Sequence, residues 1–260
     1  MDLQLRGRRA IVTGGSKGLG AAIAKELLAE GAAVAFCARH REEVESAARE
    51  LCQGGGKVMA EVADVTKADQ VEGFFAHAVA ELGGLDVLVN NAGRAHPGTF
   101  ATLTDADFQA DLEVKLFSQI RCSRAALPHL RAAGGGSIIN INAIYGRQPD
   151  PSFFATTVDR AACLAFNKAL AIEVAREGIL VNSVNIGFVR TPQWSNIHQR
   201  RAPQLSEEDF LAQTAAAEVP LGRFGEAEEV SGLVAFLASS RASYITGASI
   251  DVSGGMGRYV

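Results

Sequence analysis

The sequence predicts a single α/β domain, residues 1–260, built on a doubly wound, seven-stranded parallel sheet with helices on both faces. Two observations carry this expectation. Apolar runs of strand length alternate along the chain with longer segments whose apolar residues recur at helical spacing, the pattern of a parallel sheet covered on both sides. The runs themselves, such as Ala10-Ile-Val-Thr13 and Asp86-Val-Leu-Val-Asn90, are continuously apolar rather than alternating, as strands buried on both faces should be.

Taken in order, a strand at 8–13 ends in a glycine-rich turn, and an Ala/Leu-rich helix at 19–30 comes next. A strand at 32–37 leads to a helix at 41–53, and a strand at 57–61 to a helix at 68–82, with apolar residues recurring at i, i+3 and i+4. The strand at 85–90 precedes a long helix at 105–133, and the strand at 137–141 a second long helix at 155–177. A strand at 180–185, a helix at 226–238 and a strand at 250–252 complete the series. Residues 191–223 break the rhythm, with only 210–217 helix-like, and such an insertion in a compact domain is expected to be a lid or substrate loop.

Composition narrows the function classes. The 260 residues are 48% hydrophobic and 21% charged with a formal net charge of −4, which excludes disorder and disulfide scaffolds and argues against a nucleic-acid or anionic-membrane surface. Arg6, Arg8 and Arg9 read as a solvated lead-in to the first strand. No run approaches the ~20 apolar residues of a membrane span. Cysteines 37, 52, 122 and 163 form no Cys-x-x-Cys pair and have no His at ligand spacing, so they read as small buried apolar residues and no metal is expected. With no room for a secretory leader before the first strand, a cytoplasmic location is the expectation.

Thr13-Gly-Gly-Ser-Lys-Gly-Leu-Gly20 joins the first strand to the first helix. Glycines suit positive φ and close approach of backbone to a diphosphate, and the helix N-terminus adds unpaired N–H groups. Together with Asp64-Val65, Asn90-Asn-Ala-Gly93, Pro220-Leu-Gly-Arg-Phe-Gly225 and Ser243-Tyr-Ile-Thr-Gly247, this string resembles the short-chain dehydrogenase/reductase family from about Gly7 to Gly255. The resemblance implies a Rossmann fold and a dinucleotide held by Gly14, Ser16, Lys17, Gly18, Leu19, Gly20, Arg39, Asp64, Val65, Asn91, Ala92, Gly93, Arg160, Gly187, Val189 and Thr191. The position where NAD-selective relatives carry an acid for the ribose 2′-OH holds Ala38, with Arg39 next to it and Lys17 in the glycine turn. A 2′-phosphate needs cations there, so NADP(H) is expected over NAD(H).

The resemblance also marks four catalytic positions at which this sequence differs. In the family an asparagine, a serine, a tyrosine and a lysine carry out proton transfer; here those places hold Lys115, Ala143, Thr156 and Arg160. A threonine hydroxyl is a weak acid at neutral pH, Ala143 cannot polarise a carbonyl, and a guanidinium keeps its proton. Tyr145 is a candidate substitute donor if a cation acidifies it, against the plainer reading of a packed ring; Lys115 could donate if desolvated, against a salt bridge to Glu113 or another carboxylate. His96 reads as a rim residue near the nicotinamide side. His198 with Arg200 and Arg201 either greets an anionic substrate or is a solvated face. His96, Asn142, Tyr145 and Trp194 are expected at the substrate pocket.

Three functions remain open on this reading: an oxidoreductase on a carbonyl, alcohol or related C=X small molecule with a rewired proton donor; a silent cofactor-binding subunit that pairs with an active relative; and non-redox use of the pocket. The Ala-rich faces of the two long helices predict association, and the family resemblance implies a homodimer or homotetramer, or a hetero-oligomer with that relative.

Overall fold

The computed structural model describes residues 2–259 and contains seven strands, β1 (Arg9–Thr13), β2 (Ala33–Ala38), β3 (Val58–Val62), β4 (Val87–Asn90), β5 (Gly136–Ala143), β6 (Ile179–Ile186) and β7 (Ser249–Val252). All pair in parallel, in the order β3-β2-β1-β4-β5-β6-β7. The order reverses between β1 and β4, the switch point outside which doubly wound sheets hold their ligands.

Alternation along each strand distributes the core. Ala10 and Val12 of β1, with Val34 and Phe36 of β2, pack against α1 (Gly18–Ala29), α2 (Arg41–Cys52) and α9 (Ala227–Ala238). Ile11, Ala35 and Leu88 point the other way, onto α3 (Ala68–Leu82), α5 (Ser118–Ala132) and α6 (Phe154–Val174). A third, smaller core lies beyond the carboxyl ends of the strands, where Trp194, Leu211, Phe224 and Met256 meet Ile144. None of the described helices is long and apolar enough to cross a membrane.

Four local expectations are corrected. The long helix at 105–133 is three pieces, α4 (Asp105–Leu112), a π-helical turn (Glu113–Phe117) and α5. A π-turn inserts a residue and rotates the helix beyond it, and such turns cluster at functional sites; this one carries Lys115. The 191–223 segment holds two helices, α7 (Pro192–Arg201) and α8 (Glu207–Glu218), rather than one. Thr191 precedes Pro192 at the first turn of α7, and the Ser206 hydroxyl caps α8 by accepting from the Asp209 N–H. Arg9 is not a solvated lead-in: its Nε and backbone N–H both donate to the Asp86 carboxylate, at 2.7 and 2.9 Å, tying β1 to the start of β4. Cys52, at the end of α2, is exposed, whereas the other three cysteines are buried and all four are free.

The sheet interior is not uniformly apolar. Asn90 Nδ2 donates to Asn140 Oδ1 at 2.9 Å, and Asn140 Nδ2 donates to Asn167 Oδ1 at 2.9 Å, a buried chain that links β4, β5 and α6. Asn140→Ala leaves Asn167 Oδ1 without its donor and takes one acceptor from Asn90 Nδ2, which keeps its bond to the Ser123 hydroxyl, and a buried group left without its partner bears its whole desolvation cost. The expected loss is about 2 kcal/mol of unfolding free energy, measured by urea denaturation; an unchanged midpoint would show that the chain does not hold the sheet interior together.

Candidate active site

At the carboxyl ends of the strands a cavity of about 610 Å³ runs from the β1–α1 turn to Trp194 on α7. Its outer half is the glycine turn. Gly14 and Gly18 take φ of +68° and +55°, and a Cβ on Gly20 would stand 2.1 Å from the Gly14 carbonyl oxygen, so only glycine permits this turn. Asn91 braces it from the end of β4: its Nδ2 donates to the Thr13 and Gly14 carbonyl oxygens, both at 3.0 Å, while the Thr13 hydroxyl accepts from the Asn91 and Ala92 N–H groups at 3.1 Å. Lys17 donates to Glu43 at 2.8 Å, and that bond holds the Glu43 carboxyl below its usual range. Ser16, Leu19, Arg39, Asp64 and Val65 line the same half. Gly93, Gly187, Val189 and Thr191 line the cavity further in. The positive-φ turn, the cradle a Cβ would fill and the exposed cations at its far end fit a phosphorylated dinucleotide.

The inner wall is polar and buried. Lys115, fully buried on the π-turn, donates to the Asp111 carboxylate one helical turn earlier and to the Thr156 hydroxyl on α6 at 2.7 Å. Glu113 is not its partner, and pairs instead with Arg121 at 2.8 Å. Burial lowers the Lys115 amine to about 8; Arg160 adds to the lowering, and Asp111 opposes it. Asp159, also fully buried on α6, has both carboxyl oxygens without a donor. Burial pushes its carboxyl up to about 8, the neighbouring Asp111 carboxyl adds to the rise, and Lys115 and Arg160 oppose it. Arg160 donates through one nitrogen to the Ile141 carbonyl oxygen and to Asn142 Oδ1, both at 3.0 Å, which leaves its buried Nε free.

Of the expected pocket residues, Asn142, Tyr145 and Trp194 line the cavity, each with partners inside the protein. Asn142 lines the cavity but is fully buried, its amide oxygen accepts from Arg160 and Gln119, and its Nδ2 donates to the Ser183 hydroxyl, so its polar atoms are engaged within the protein. Tyr145 lines the cavity with its ring stacked on Phe153 at 5.2 Å. Burial, reinforced by Asp150, raises its phenol above the ordinary value, and Arg201 only partly offsets this; the expected acidification is not found. Ala143 lines the wall as a methyl, and Trp194 packs edge-on against Phe188 and Phe224. His198 ties α7 to the turn before α8 through the Leu205 carbonyl oxygen at 2.9 Å, whereas Arg200 and Arg201 do line the cavity. His96 faces Asp107 and Asp111 and lies between Ala95 and Pro97, which line the cavity. Sequence reasoning does not single out Asp111 and Asp159, although the i, i+4 spacing of Asp111 to Lys115 is a helix ion-pair signature.

Fold, glycine turn and a polar inner wall at the switch point define a nucleotide-binding oxidoreductase scaffold. Residues 14–257 match the family model described as enoyl-(acyl carrier protein) reductase. L-Sorbose reductase of Gluconobacter frateurii, solved with NADPH and L-sorbose, superposes with a TM-score of 0.96 at 33% identity, with 100% of both chains covered. An NADPH-bound short-chain oxidoreductase of Pseudomonas aeruginosa, described as containing an atypical catalytic center, gives a TM-score of 0.91 at 39% identity over 97% of this chain and 98% of that one. A 4-formylbenzenesulfonate dehydrogenase of Comamonas testosteroni is 36% identical, covering 97% of this chain and 99% of its own. The chain belongs to the short-chain dehydrogenase/reductase family of oxidoreductases.

The cradle makes a direct prediction. Gly20→Ala drives a methyl into the Gly14 carbonyl, and NADPH binding followed by fluorescence is expected to weaken by at least about 100-fold, equivalent to ~2.7 kcal/mol. Wild-type affinity in this variant would show that the turn does not hold the phosphates.

Proposed function

We propose that this protein is an NADP(H)-dependent reductase of carbonyl compounds in which Lys115, acting through Thr156, supplies the proton that a tyrosine supplies in most of the family. One observation carries the reading: the only amine at the inner wall among the described residues is fully buried, bonded to a hydroxyl that lines the cavity, and lowered to about 8 by that burial. NADPH, when bound, provides hydride. Arg160, fixed by Ile141 and Asn142, lines the cavity with a buried, unpartnered Nε and serves the cofactor ribose or the carbonyl oxygen. The Thr156 hydroxyl accepts from Lys115 and donates its own proton to the developing alkoxide, so the weak acidity of a threonine is supplemented by the ammonium behind it. The family asparagine, serine, tyrosine and lysine are replaced, but Lys115, Thr156 and Arg160 stand together in one polar wall.

That wall also weighs against a silent subunit. Placing two acids, a lysine and an arginine in a buried site costs several kcal/mol per ion, and an inert pocket would be closed more stably by apolar side chains. Lys17 and Arg39 support NADP(H) over NAD(H), as do the NADPH-bound relatives. Residues 191–223 serve as the substrate lid: Gln193 on α7 accepts from the Ala95 N–H at 2.7 Å and closes α7 over the loop after β4. Arg200 and Arg201 favour an anionic small molecule at that end. Exposed Phe117, Val158 and Ile172 on or beside α5 and α6 support assembly into a homodimer or homotetramer.

Two measurements test this. With a panel of ketones and aldehydes that includes L-sorbose and 4-formylbenzenesulfonate, Lys115→Met and Thr156→Val are each expected to lower NADPH oxidation by about 10²–10⁴-fold with NADPH affinity retained. The donor must be protonated, so the reductive rate is expected to be level at low pH and to fall as pH rises through about 8. Full turnover in Lys115→Met would refute the assignment, and absence of turnover by wild type across the panel, with a second similar chain co-purifying, would favour the silent subunit. For cofactor choice, the double change Lys17→Ala with Arg39→Ala is expected to cost NADPH about tenfold or more in Kd and NADH little, from the loss of charge-assisted bonds to phosphate.

A further inference from the structure

A buried donor raises the question of its resupply. Each reductive turnover removes one proton from Lys115, whose side chain has no solvent contact and reaches the cavity through the Thr156 hydroxyl to which it donates. The structure places one other polar path at its back. His96, in the loop after β4, is about one-fifth exposed, with Nε2 3.5 Å from the Asp107 carboxylate. Its Nδ1 lies 3.7 Å from Asp111 Oδ1. Both Nδ1 and Oδ1 are buried and neither has a hydrogen-bond partner, so two unsatisfied groups face each other across a gap that a small shift of the loop would close to a hydrogen bond of about 3 Å. The other oxygen of Asp111 already accepts from Lys115 and lies 3.4 Å from the Thr156 hydroxyl.

We propose that His96 is the outer station of a proton relay that recharges Lys115 from solvent through Asp111. The inference rests on Lys115 being the donor. After Lys115 has passed a proton through Thr156 to the substrate oxygen, it is a neutral amine. Asp111 takes a proton on Oδ1 from His96 Nδ1, turns about its Cβ–Cγ bond, and delivers that proton to Lys115 Nζ. His96 regains one from water, with Asp107 orienting the ring through Nε2. One water-derived proton replaces the one consumed, and no other reactant is needed. Charged groups facing Lys115 are Asp111 from α4 and Asp159 and Arg160 from α6; those facing His96 are Asp107 and Asp111, both from α4. His96 is not among the residues that line the cavity and acts only through Lys115, so it is a positioning and relay residue, and a purely structural alternative is that it pins the loop to α4.

The test reads proton traffic without turnover. In the NADPH-bound protein with 15N-labelled lysine, exchange of the Lys115 Nζ protons with water is measured by NMR, with Lys115→Met identifying the signal. His96→Asn is expected to slow exchange by about tenfold or more, in the lower part of what a positioned proton-transfer group contributes, and added imidazole is expected to restore it. Asp107→Asn, a partly exposed and conservative change that keeps His96, is expected to slow exchange severalfold and covers the case in which His96→Asn does not fold. Unchanged exchange in these variants, or slowing that imidazole does not rescue, would overturn the relay and leave the loop-pinning role. No carbonyl substrate is present, so the relay can fail while Lys115→Met still abolishes turnover, and the donor assignment can fail while the exchange result stands.

Discussion

The bond from Lys115 to Asp111 sets the terms for the inner half of this molecule. An ammonium with no access to water is tolerable only when its protons meet acceptors. Asp111 provides one from a helical turn away, and Thr156 provides another from α6. Burial and the neighbouring Asp111 hold Asp159 toward its protonated form, and Arg160 donates to Ile141 and Asn142. The π-turn belongs to the same constraint. A continuous α-helix through residues 113–117 would carry Lys115 at another angle, and the inserted residue is what brings it into line with α6.

The outer half answers to a different constraint, the close approach of backbone to phosphate. It is solved by glycine conformations and by Asn91 clamping β1 to the end of β4 rather than by charge burial. The two halves meet at β5, whose last residues, Asn142 and Ala143, form the floor between them. This division explains how the inner wall can change its chemistry while the fold and the nucleotide cradle do not: no side chain of the Lys115 cluster takes part in the glycine turn.

Much of the fold is legible in the sequence because it rests on patterns short enough to read locally. Continuous apolar runs mark strands buried on both faces, and the Thr13–Gly20 string is diagnostic because a Cβ at Gly20 has no space. The features that escape such reading depend on long-range contacts. Nothing in 105–133 announces a π-turn, since α and π segments share the same helix-forming composition. Asp111 and Asp159 look like ordinary polar faces of helices until α4 and α6 are brought together. Arg9 looks solvated because Asp86, its partner, is distant in sequence, and Tyr145 looks like a donor because stacking on Phe153 cannot be foreseen from spacing. Thr191–Arg201 looks like loop because the apolar contacts that stabilise α7, through Trp194 and Ile197, come from the sheet end and not from the helix itself.

The central claim is that burial makes Lys115 a proton donor near neutrality. The most direct measurement is a pH titration of the Lys115 Nζ nitrogen by NMR in the NADPH-bound protein. The account predicts a midpoint near 8, well apart from the other lysines of the chain. A midpoint among the solvent-exposed lysines, near their ordinary value of about 10.4, would contradict it.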